Sequence, residues 1–200
     1  MECSDDEGRF SGKVCDTGLL EEGRKVLKKM VVKHFEFVME LVIDGAMIGV
    51  FERQLAGSDA DYLFFNGLKR SIETGLMTKR ETGPQRFWGY VYFNQAQVKE
   101  GPIGFAMMCG GGPGQLNEFW MSAIKPEYRN RGMGKLMFGE VLAAERKSNL
   151  ICRCHKGSEI AMNMLVKNGF VHVGTGDDGT RILIDSRMER KFQDGIRSVM

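Results

Sequence analysis

The feature that most constrains the fold lies between Asn117 and Met137, where the sequence reads NEFWMSAIKPEYRNRGMGKLM. An apolar stretch typical of a strand ends at Pro126, and a strongly helical stretch begins around Gly132 and Gly134. Glycines leave the backbone open to a bound group, and the first amides of a helix point towards an anion. This order predicts a strand, turn and helix that together can hold a phosphate group.

Basic residues surround the same turn. Arg129 stands three residues before Gly132 in an RxxGxG pattern, and Arg131 and Lys135 add positive charge. A pattern this short also occurs in ordinary strand-to-helix turns, so the order of the surrounding segments carries more information. The turn is followed by an amphipathic helical stretch, the short apolar strand NLICRC, a second helical stretch and the sequence KNGF ending at Phe170.

In this order of motifs the chain resembles the GNAT superfamily of acyl-CoA-dependent N-acyltransferases. The resemblance covers about residues 86–185 and is most specific from Glu118 to Gly134. It implies an α/β (α+β) fold with a mixed, mostly antiparallel sheet and helices on both faces. It also implies acetyl-CoA as the co-substrate. The loop 129–134 would wrap the pyrophosphate, and the preceding strand would pair with the pantetheine arm.

Carried over by position, the resemblance assigns coenzyme binding to the end of that strand, the loop and the first turn of the helix. The residues are Ala123, Ile124, Arg129, Asn130, Arg131, Gly132, Met133, Gly134 and Lys135, together with Ser158. Ser158 stands where the family often has an asparagine that approaches the pantetheine arm. N-capping of the helix that follows would explain this serine equally well.

Glu118 is the candidate catalytic base, because an acceptor amine must lose a proton before it attacks a thioester. It lies six residues before Ile124, where GNAT enzymes of the histone acetyltransferase type carry a catalytic glutamate. Phe119 and Trp120 flank it, and apolar surroundings would make a carboxylate a better proton acceptor near neutral pH. The alternative is a strand glutamate that faces solvent.

The proton donor of many family members is missing from this sequence. These members place a tyrosine in the helix before the glycine–phenylalanine pair, and Leu165 stands at that position here. Three alternatives follow. In the first, the departing thiolate is protonated by Tyr90, Tyr92 or water. In the second, the thiolate leaves unprotonated, which is less costly for a thiol than for an alcohol. In the third, the active site has decayed and only coenzyme binding remains.

The expected function is direct transfer of an acetyl group from acetyl-CoA to a primary amine of an unidentified protein, peptide or small-molecule acceptor. The alternatives are a catalytically inactive acyl-CoA-binding or interaction module and a GNAT toxin that acetylates aminoacyl-tRNA. A generic nucleotide-binding domain is disfavoured, since the chain contains no GxxxxGK[ST] and its GxGxxG match, Gly174–Gly179, falls in the predicted hairpin around GDDGT. Cys109 has no evident histidine partner in the sequence and gives little support for a covalent enzyme intermediate.

Length and composition are those of one globular domain. The chain has 200 residues, 42% of them hydrophobic, which is enough for a sizeable core. Residues 1–17 are expected to form a flexible tail, and 18–200 a single domain. The N-terminus lacks the pattern of a secretory signal, and no apolar run reaches the ~18 residues of a membrane span. Five cysteines, an odd number, fit a reducing compartment, so a cytoplasmic location is expected.

The charge balance argues against a dedicated nucleic-acid-binding protein. With 28 basic and 26 acidic residues the formal net charge is +2. A basic face between Arg24 and Lys33 is typical of a solvated helix surface, and its alternative role is contact with an acidic protein or RNA. The expected partners are therefore acetyl-CoA and an amine acceptor. Among nucleic acids, only tRNA is kept as an alternative partner. No membrane contact is expected, and the sequence does not decide whether the chain forms a homodimer.

A metal site is not expected. Cys152, Cys154 and His155 could supply ligands, but zinc needs about four convergent ligands, and the next histidine, His172, is isolated. The two cysteines alternate along a predicted strand, so we expect them to share one packed face of it.

The remaining segments have simpler patterns. The predicted elements are a helix from near Leu19 to about Val42 that ends at Asp44 and Gly45, a second helix from about Tyr62 to Leu76, a polar turn TKRETGPQ, a hairpin from about Arg86 to Gly110, a helix from Gly132 to Lys147 with Leu136 towards the sheet and Glu145 towards water, and a closing hairpin around GDDGT. Within the first helix, residues 35–43 also alternate as a strand would. The placement of the first strand therefore stays open.

Overall fold

The computed structural model describes residues 26–56, 59–79, 83–94, 99–112, 114–188 and 190–198. Within them, eight strands form one sheet. The strands are β1 (Leu27–Lys29), β2 (Leu76–Lys79), β3 (Gly83–Phe93), β4 (Pro102–Gly110), β5 (Leu116–Ile124), β6 (Asn149–Cys154), β7 (Phe170–Thr175) and β8 (Arg181–Asp185). Their order is β1-β3-β4-β5-β6-β8-β7, with β2 also paired to β3. β5 and β6 run parallel, and the other described pairs are antiparallel, as the sequence predicted.

Helices cover both faces of this sheet, which confirms the predicted layering. They are α1 (Phe35–Met47), α2 (Asp59–Thr74), α3 (Met133–Ala144), α4 (Glu159–Lys167) and α5 (Arg190–Ser198). Side chains of α1 and α2 pack on one face with Phe105 and Met107, and those of α3 and α4 pack on the other with Ala106 and Met108. β4 is buried from Ile103 to Cys109 because it lies between β3 and β5 with helices on either side. None of the described helices is both long enough and apolar enough to cross a membrane.

The sheet opens between its two parallel strands. Pairing of β5 with β6 begins at Leu116 and ends where Phe119 faces Cys152, yet β5 runs on to Ile124. Against β4, Met107 faces Met121 and Met108 faces Phe119, so one residue of β5, Trp120, is extra. A bulge of this kind bends a strand, which accounts for the divergence of β5 from β6 beyond this point.

The first predicted helix is wrong over part of its length. Residues 19–25 lie outside the described residues, as does the predicted tail 1–17. Residues 27–29 form β1 against Tyr90, Val91 and Tyr92, because the free edge of β3 offers them backbone partners that outweigh the helical spacing. The helix begins only at Phe35, and it includes the stretch 35–43 that could also have been a strand.

Asp44 and Gly45 do not end α1, as was expected, but lie inside its last turn. Gly45 is buried, and a Cβ atom built there would lie 2.4 Å from Cδ2 of Phe51. This glycine is therefore required by the close approach of the chain that follows the helix, and the turn itself comes at Gly49, where φ is +79°.

Two further predictions need correction. The stretch TKRETGPQ was expected to be a turn, but its first residues belong to β2, which forms a hairpin with β3, and α2 ends at Thr74. Leu136 of α3 is 54% exposed rather than directed at the sheet, and Glu145, the residue after α3, was expected in water but is buried. Its carboxylate accepts hydrogen bonds from Trp88, Tyr90 and Ser148, which compensate for burial of a charged group.

The hairpin of β3 with β4 and the closing hairpin of β7 with β8 are confirmed. β8 lies between β6 and β7, so the chain passes from β6 through α4 to the sheet edge before it returns. The sequence Asn168–Gly169 predicts a left-handed residue after α4, and Gly169 confirms it with φ of +90°.

Candidate functional site

The loop that follows β5 ends at an uncapped helix. It passes through a short 3₁₀ turn at Pro126–Tyr128, and Asn130 and Gly132 both have positive φ values, +59° and +77°. No side chain caps the N-terminus of α3, and the first amide bonded within the helix is that of Leu136, to the Gly132 carbonyl oxygen at 3.1 Å. The amides before Leu136 are therefore available to an anion.

The two glycines of the RxxGxG pattern border open space. A Cβ atom built at Gly132 would meet no atom within 4 Å, and one built at Gly134 would meet only Cγ1 of Ile124, at 3.8 Å. Gly132 is needed for its left-handed backbone, whereas Gly134 has no such constraint. Absence of a side chain at Gly134 thus keeps the approach to the helix amides clear without being required by the fold.

Arg129 is turned back towards the sheet. Its Nε donates to the Ile124 carbonyl oxygen at 2.9 Å, and its guanidinium forms an ion pair with Asp44 on α1. The Ile124 carbonyl is therefore already hydrogen-bonded by the loop itself. Arg131 and Lys135 are exposed beside the helix start, and neither forms an ion pair with another residue of the described part of the chain.

The opposite side of the opening is the turn between β6 and α4. Ser158 occupies the predicted N-cap position, but its hydroxyl donates to the Val50 carbonyl oxygen at 2.7 Å instead of capping its own helix. Gly157 packs so closely that a Cβ atom there would lie 2.1 Å from the Gly49 carbonyl oxygen. We call residues 44–51 the bridging segment, because they contact the loop after β5 through Asp44 and the turn after β6 through Gly49 and Val50.

Glu118 lies where the pairing of β5 with β6 comes to its end. It faces Ile151, one residue before the last pair. Its Oε2 lies 4.0 Å from Sγ of Cys109, which belongs to the core beneath α1 and α2, so the carboxylate is on that face of the sheet. The same oxygen accepts a hydrogen bond from Nη1 of Arg153 at 3.1 Å. The Glu118 side chain is 12% exposed and that of Arg153 is 49% exposed.

The environment of Glu118 is only partly the apolar one expected from its neighbours. Phe119 points to the other face, where its ring lies 5.1 Å from that of Phe138. Trp120 is on the face of α1 and α2, with its ring 6.0 Å from Phe64 and 6.3 Å from Phe87. The carboxylate thus has a guanidinium as its direct partner and an aromatic group on the same face.

Two ion-pair partners near this opening were not predicted from the sequence. They are Arg153, the partner of Glu118, and Asp44, the partner of Arg129. A signal for Arg153 was present, since it is the one charged residue in the apolar strand NLICRC. Asp44 gave no such signal, because its ion pair with Arg129 joins positions 85 residues apart.

The tyrosines considered as proton donors lie elsewhere in the fold. Tyr90 is on β3, where its hydroxyl donates to Oε1 of Glu145 at 2.7 Å. Burial and this hydrogen bond raise the pKa of Tyr90 above its ordinary value. Tyr92 is buried, which also raises its pKa, and Leu165 is 2% exposed in the core under α4. Of the three proton donors considered, only water could act without movement of Tyr90 or Tyr92.

The cysteine pair of β6 is directed into the core. Sγ atoms of Cys152 and Cys154 are 3.9 Å apart on the face of α3 and α4, which confirms that they share a packed face. The hydrogen bond with Cys154 and burial raise the pKa of the Cys152 thiol. His155 accepts the amide hydrogen of Gly157 at 3.2 Å. In the part of the chain that the structure describes, no three histidine, cysteine, aspartate or glutamate side chains converge as metal ligands would.

A cavity of about 570 Å³ lies away from this opening, at the C-terminal end of α3. Arg86, Trp88, Glu145 and Lys147 are among the residues that line it. The loop 129–134, which we call the glycine loop, lies at the other end of the same helix, so this cavity is separate from the opening between β5 and β6.

No protein-family model matches the chain, and no curated protein matches its sequence. Solved structures match it in fold. A domain from Methanocaldococcus jannaschii gives a TM-score of 0.58 at 11% identity, over 80% of this chain and 96% of that one. The aminoglycoside acetyltransferase AAC(6')-Ib, crystallised with coenzyme A and kanamycin, gives 0.55 at 14% identity, over 88% and 99%.

A third solved structure is a GNAT superfamily phosphinothricin acetyltransferase from Sinorhizobium meliloti in complex with AcCoA. Its TM-score is 0.53 at 15% identity, over 79% of this chain and 85% of that one. Identities at this level establish the fold and nothing finer. The chain has a GNAT-like fold, as the sequence predicted.

Proposed function

We propose that the chain is a GNAT-type N-acetyltransferase that transfers an acetyl group from acetyl-CoA to a primary amine. One observation carries the proposal: the last residues of β5 are not paired to β6, and the loop after them leads to an uncapped helix start at Gly132–Gly134. Solved structures of the same fold that were crystallised with coenzyme A or acetyl-CoA support this choice of co-substrate.

The residues present suit such a co-substrate. Beyond Phe119 the edge of β5 is not paired to β6, so backbone groups near Ala123 can pair with the amides of a pantetheine arm. The amides of 132–135 would hold the pyrophosphate, with Arg131 and Lys135 as exposed cations beside it. Asn130 shapes the loop through its positive φ, Met133 begins the helix, and the hydrogen bond of Arg129 to Ile124 holds the loop to the strand.

Ser158 takes an indirect part in this proposal. Its hydroxyl holds Val50 of the bridging segment, so it helps to form the mouth of the opening rather than contact the coenzyme in this conformation.

Glu118 is the proposed base, and acetyl-CoA would supply a thioester carbonyl as the electrophile. Glu118 takes a proton from the acceptor ammonium, directly or through a water molecule. The amine nitrogen then forms a C–N bond to the carbonyl carbon as the C–S bond breaks, and the sulfur leaves with the electron pair. Water protonates this thiolate, since the hydroxyl of Tyr90 is hydrogen-bonded to Glu145 and Tyr92 is buried. Ammonium and thioester become amide, thiol and one proton, and no covalent enzyme intermediate is required.

Calorimetric titration of the purified protein with acetyl-CoA tests the binding step. Gly134→Glu should weaken binding at least about tenfold, because a carboxylate would enter the space meant for phosphate. Gly134→Ala is the matched control and should retain binding, since its Cβ atom has room. Glutamate is favourable in the first turn of a helix, so we expect this substitution to leave the fold intact. Absence of binding by the unchanged protein would contradict the proposal.

A second candidate function is an acyl-CoA-binding module without catalysis. It is favoured by Leu165, which is buried in the core at the family's tyrosine position. Glu118→Gln separates the two functions. A catalytic base predicts that acetyl-CoA binding is kept while turnover falls by about 10² or more. A binding module has no turnover in either protein.

A further inference from the structure

The ion pair of Glu118 with Arg153 stands at the point where the sheet opens. Phe119 and Cys152 form the last pair between β5 and β6, and Arg153 is the next residue of β6. Nη1 of Arg153 lies 3.1 Å from Oε2 of Glu118. An amine that reaches Glu118 must therefore also come close to the guanidinium of Arg153.

Arg153 has unused hydrogen-bonding capacity. A guanidinium carries five N–H donors in a planar fork, which suits a carboxylate. Glu118 is its hydrogen-bond partner among the described residues, and the side chain is 49% exposed. A ligand carboxylate could therefore bind Arg153 from the solvent side without first displacing another protein group from most of its donors.

A lone amine is a poor match for this pair of charges. An ammonium group drawn to Glu118 would lie near the positive charge of Arg153, and like charges at short distance repel. A ligand that carries its own carboxylate removes this cost. Its ammonium then binds Glu118 while its carboxylate binds Arg153. Trp120, with Phe64 and Phe87 beside it, offers an apolar surface on the same face for the remainder of the ligand.

We propose that the acceptor is a small zwitterion of the α-amino acid class, whose amine faces Glu118 and whose carboxylate binds Arg153. This inference rests on the proposed acetyltransferase function and specifies its substrate. Glu118 takes a proton from the α-ammonium, and the nitrogen forms the C–N bond as the thioester C–S bond breaks. The α-carboxylate is unchanged. The products are an N-acetyl amino acid, free coenzyme A thiol and one proton.

The test compares L-amino acids with their methyl esters as acceptors, with acetyl-CoA as donor and thiol release as the readout. The esters keep the amine and side chain but lose the negative charge. For at least one amino acid we expect kcat/KM to exceed that of its ester by about tenfold or more, because the ester has no carboxylate to offset the repulsion between its ammonium and Arg153. Arg153→Gln should reduce this ratio towards one.

The ratio of acid to ester is the measured quantity, because Arg153→Gln also changes the surroundings of the base and can alter both rates. Arg190→Gln is the control. It removes the same charge from α5, where the side chain is 93% exposed, and should leave the ratio as in the unchanged protein.

The outcomes separate this inference from the function on which it rests. If acetyl-CoA does not bind in calorimetry, the acetyltransferase function fails and the acceptor proposal fails with it. If acetyl-CoA binds but amino acids are not acetylated, or are acetylated no better than their esters, only the acceptor proposal is overturned. An unchanged ratio in Arg153→Gln would also overturn it.

Discussion

Arg129 and Asp44, which are 85 residues apart in the sequence, form an ion pair that joins the loop before α3 to the last turn of α1. The same guanidinium donates to the Ile124 carbonyl oxygen at 2.9 Å. Arg129 therefore links the end of β5, the glycine loop and the bridging segment. A negative charge is thus held next to the loop that is proposed to bind pyrophosphate.

Replacement of Asp44 by asparagine should strengthen acetyl-CoA binding by about fivefold. The change removes a negative charge near the phosphates and releases Arg129. Both partners are about one-third exposed, so the loss of stability should be no more than ~1 kcal/mol. Calorimetry at low and high ionic strength measures the effect, which should shrink in high salt.

Glu40→Gln is the matched control for Asp44→Asn. Glu40 is exposed one turn earlier on α1, and its replacement removes the same charge farther from Arg129. Equal gains in affinity for the two variants would mean that overall charge, rather than the ion pair with Arg129, is responsible.

Gly157→Ala should destabilise the protein by about 2 kcal/mol, because the new methyl group would collide with the Gly49 carbonyl oxygen and the main chain must move. Gly139→Ala provides the contrast. Its Cβ atom meets nothing within 4 Å on α3, so this change should stabilise by ~0.5–1 kcal/mol through helix propensity. Urea unfolding of the three proteins measures both effects. A Gly157→Ala protein as stable as the parent would show that the contact of the two turns is not tight.

Stability should fall as the pH rises above about 10, the ordinary pKa of tyrosine. The pKa of Tyr90 is raised in the folded protein by burial and its hydrogen bond to Glu145, so the unfolded chain loses this proton first. Ionisation then favours the unfolded state, and the stabilising contribution is complete below the unfolded pKa and is lost above it. The free energy of unfolding between pH 9 and about 11 measures this slope.

Tyr90→Phe should make that slope shallower but should not abolish it, because burial also raises the pKa of Tyr92. Tyr62→Phe, on the exposed side of α2, is the control and should leave the slope as it was. An identical slope in Tyr90→Phe and the parent would contradict the assignment to this buried hydroxyl.

The sequence was most informative where structure depends on neighbouring residues. The strand, glycine loop and helix from Glu118 to Gly134 were predicted from the order of adjacent residues, and the loop contains a left-handed residue at Gly132. The same holds for Gly169 after α4. The coenzyme assignments within this region stay predictions until binding is measured.

Contacts between distant segments could not be predicted in this way. β1 has only three residues, too few for its period to be recognised, and it is a strand because β3 offers it an edge. Glu145 was expected in water because its donors, Trp88 and Tyr90, come from another strand. The partner of Glu118, Arg153, likewise became evident only when β6 was placed beside β5.

The extra residue at Trp120 reverses the alternation of side chains along β5. Phe119 packs on the side of α3, whereas Met121 packs under α1 and α2 and Ile124 returns to the side of α3. The strand therefore consists of two halves whose side chains alternate between the faces in opposite order. Glu118 lies in the first half and Ala123 in the second. Deletion of Trp120 would exchange the faces of the β5 residues after it, so the length of this strand is constrained more strictly than its composition.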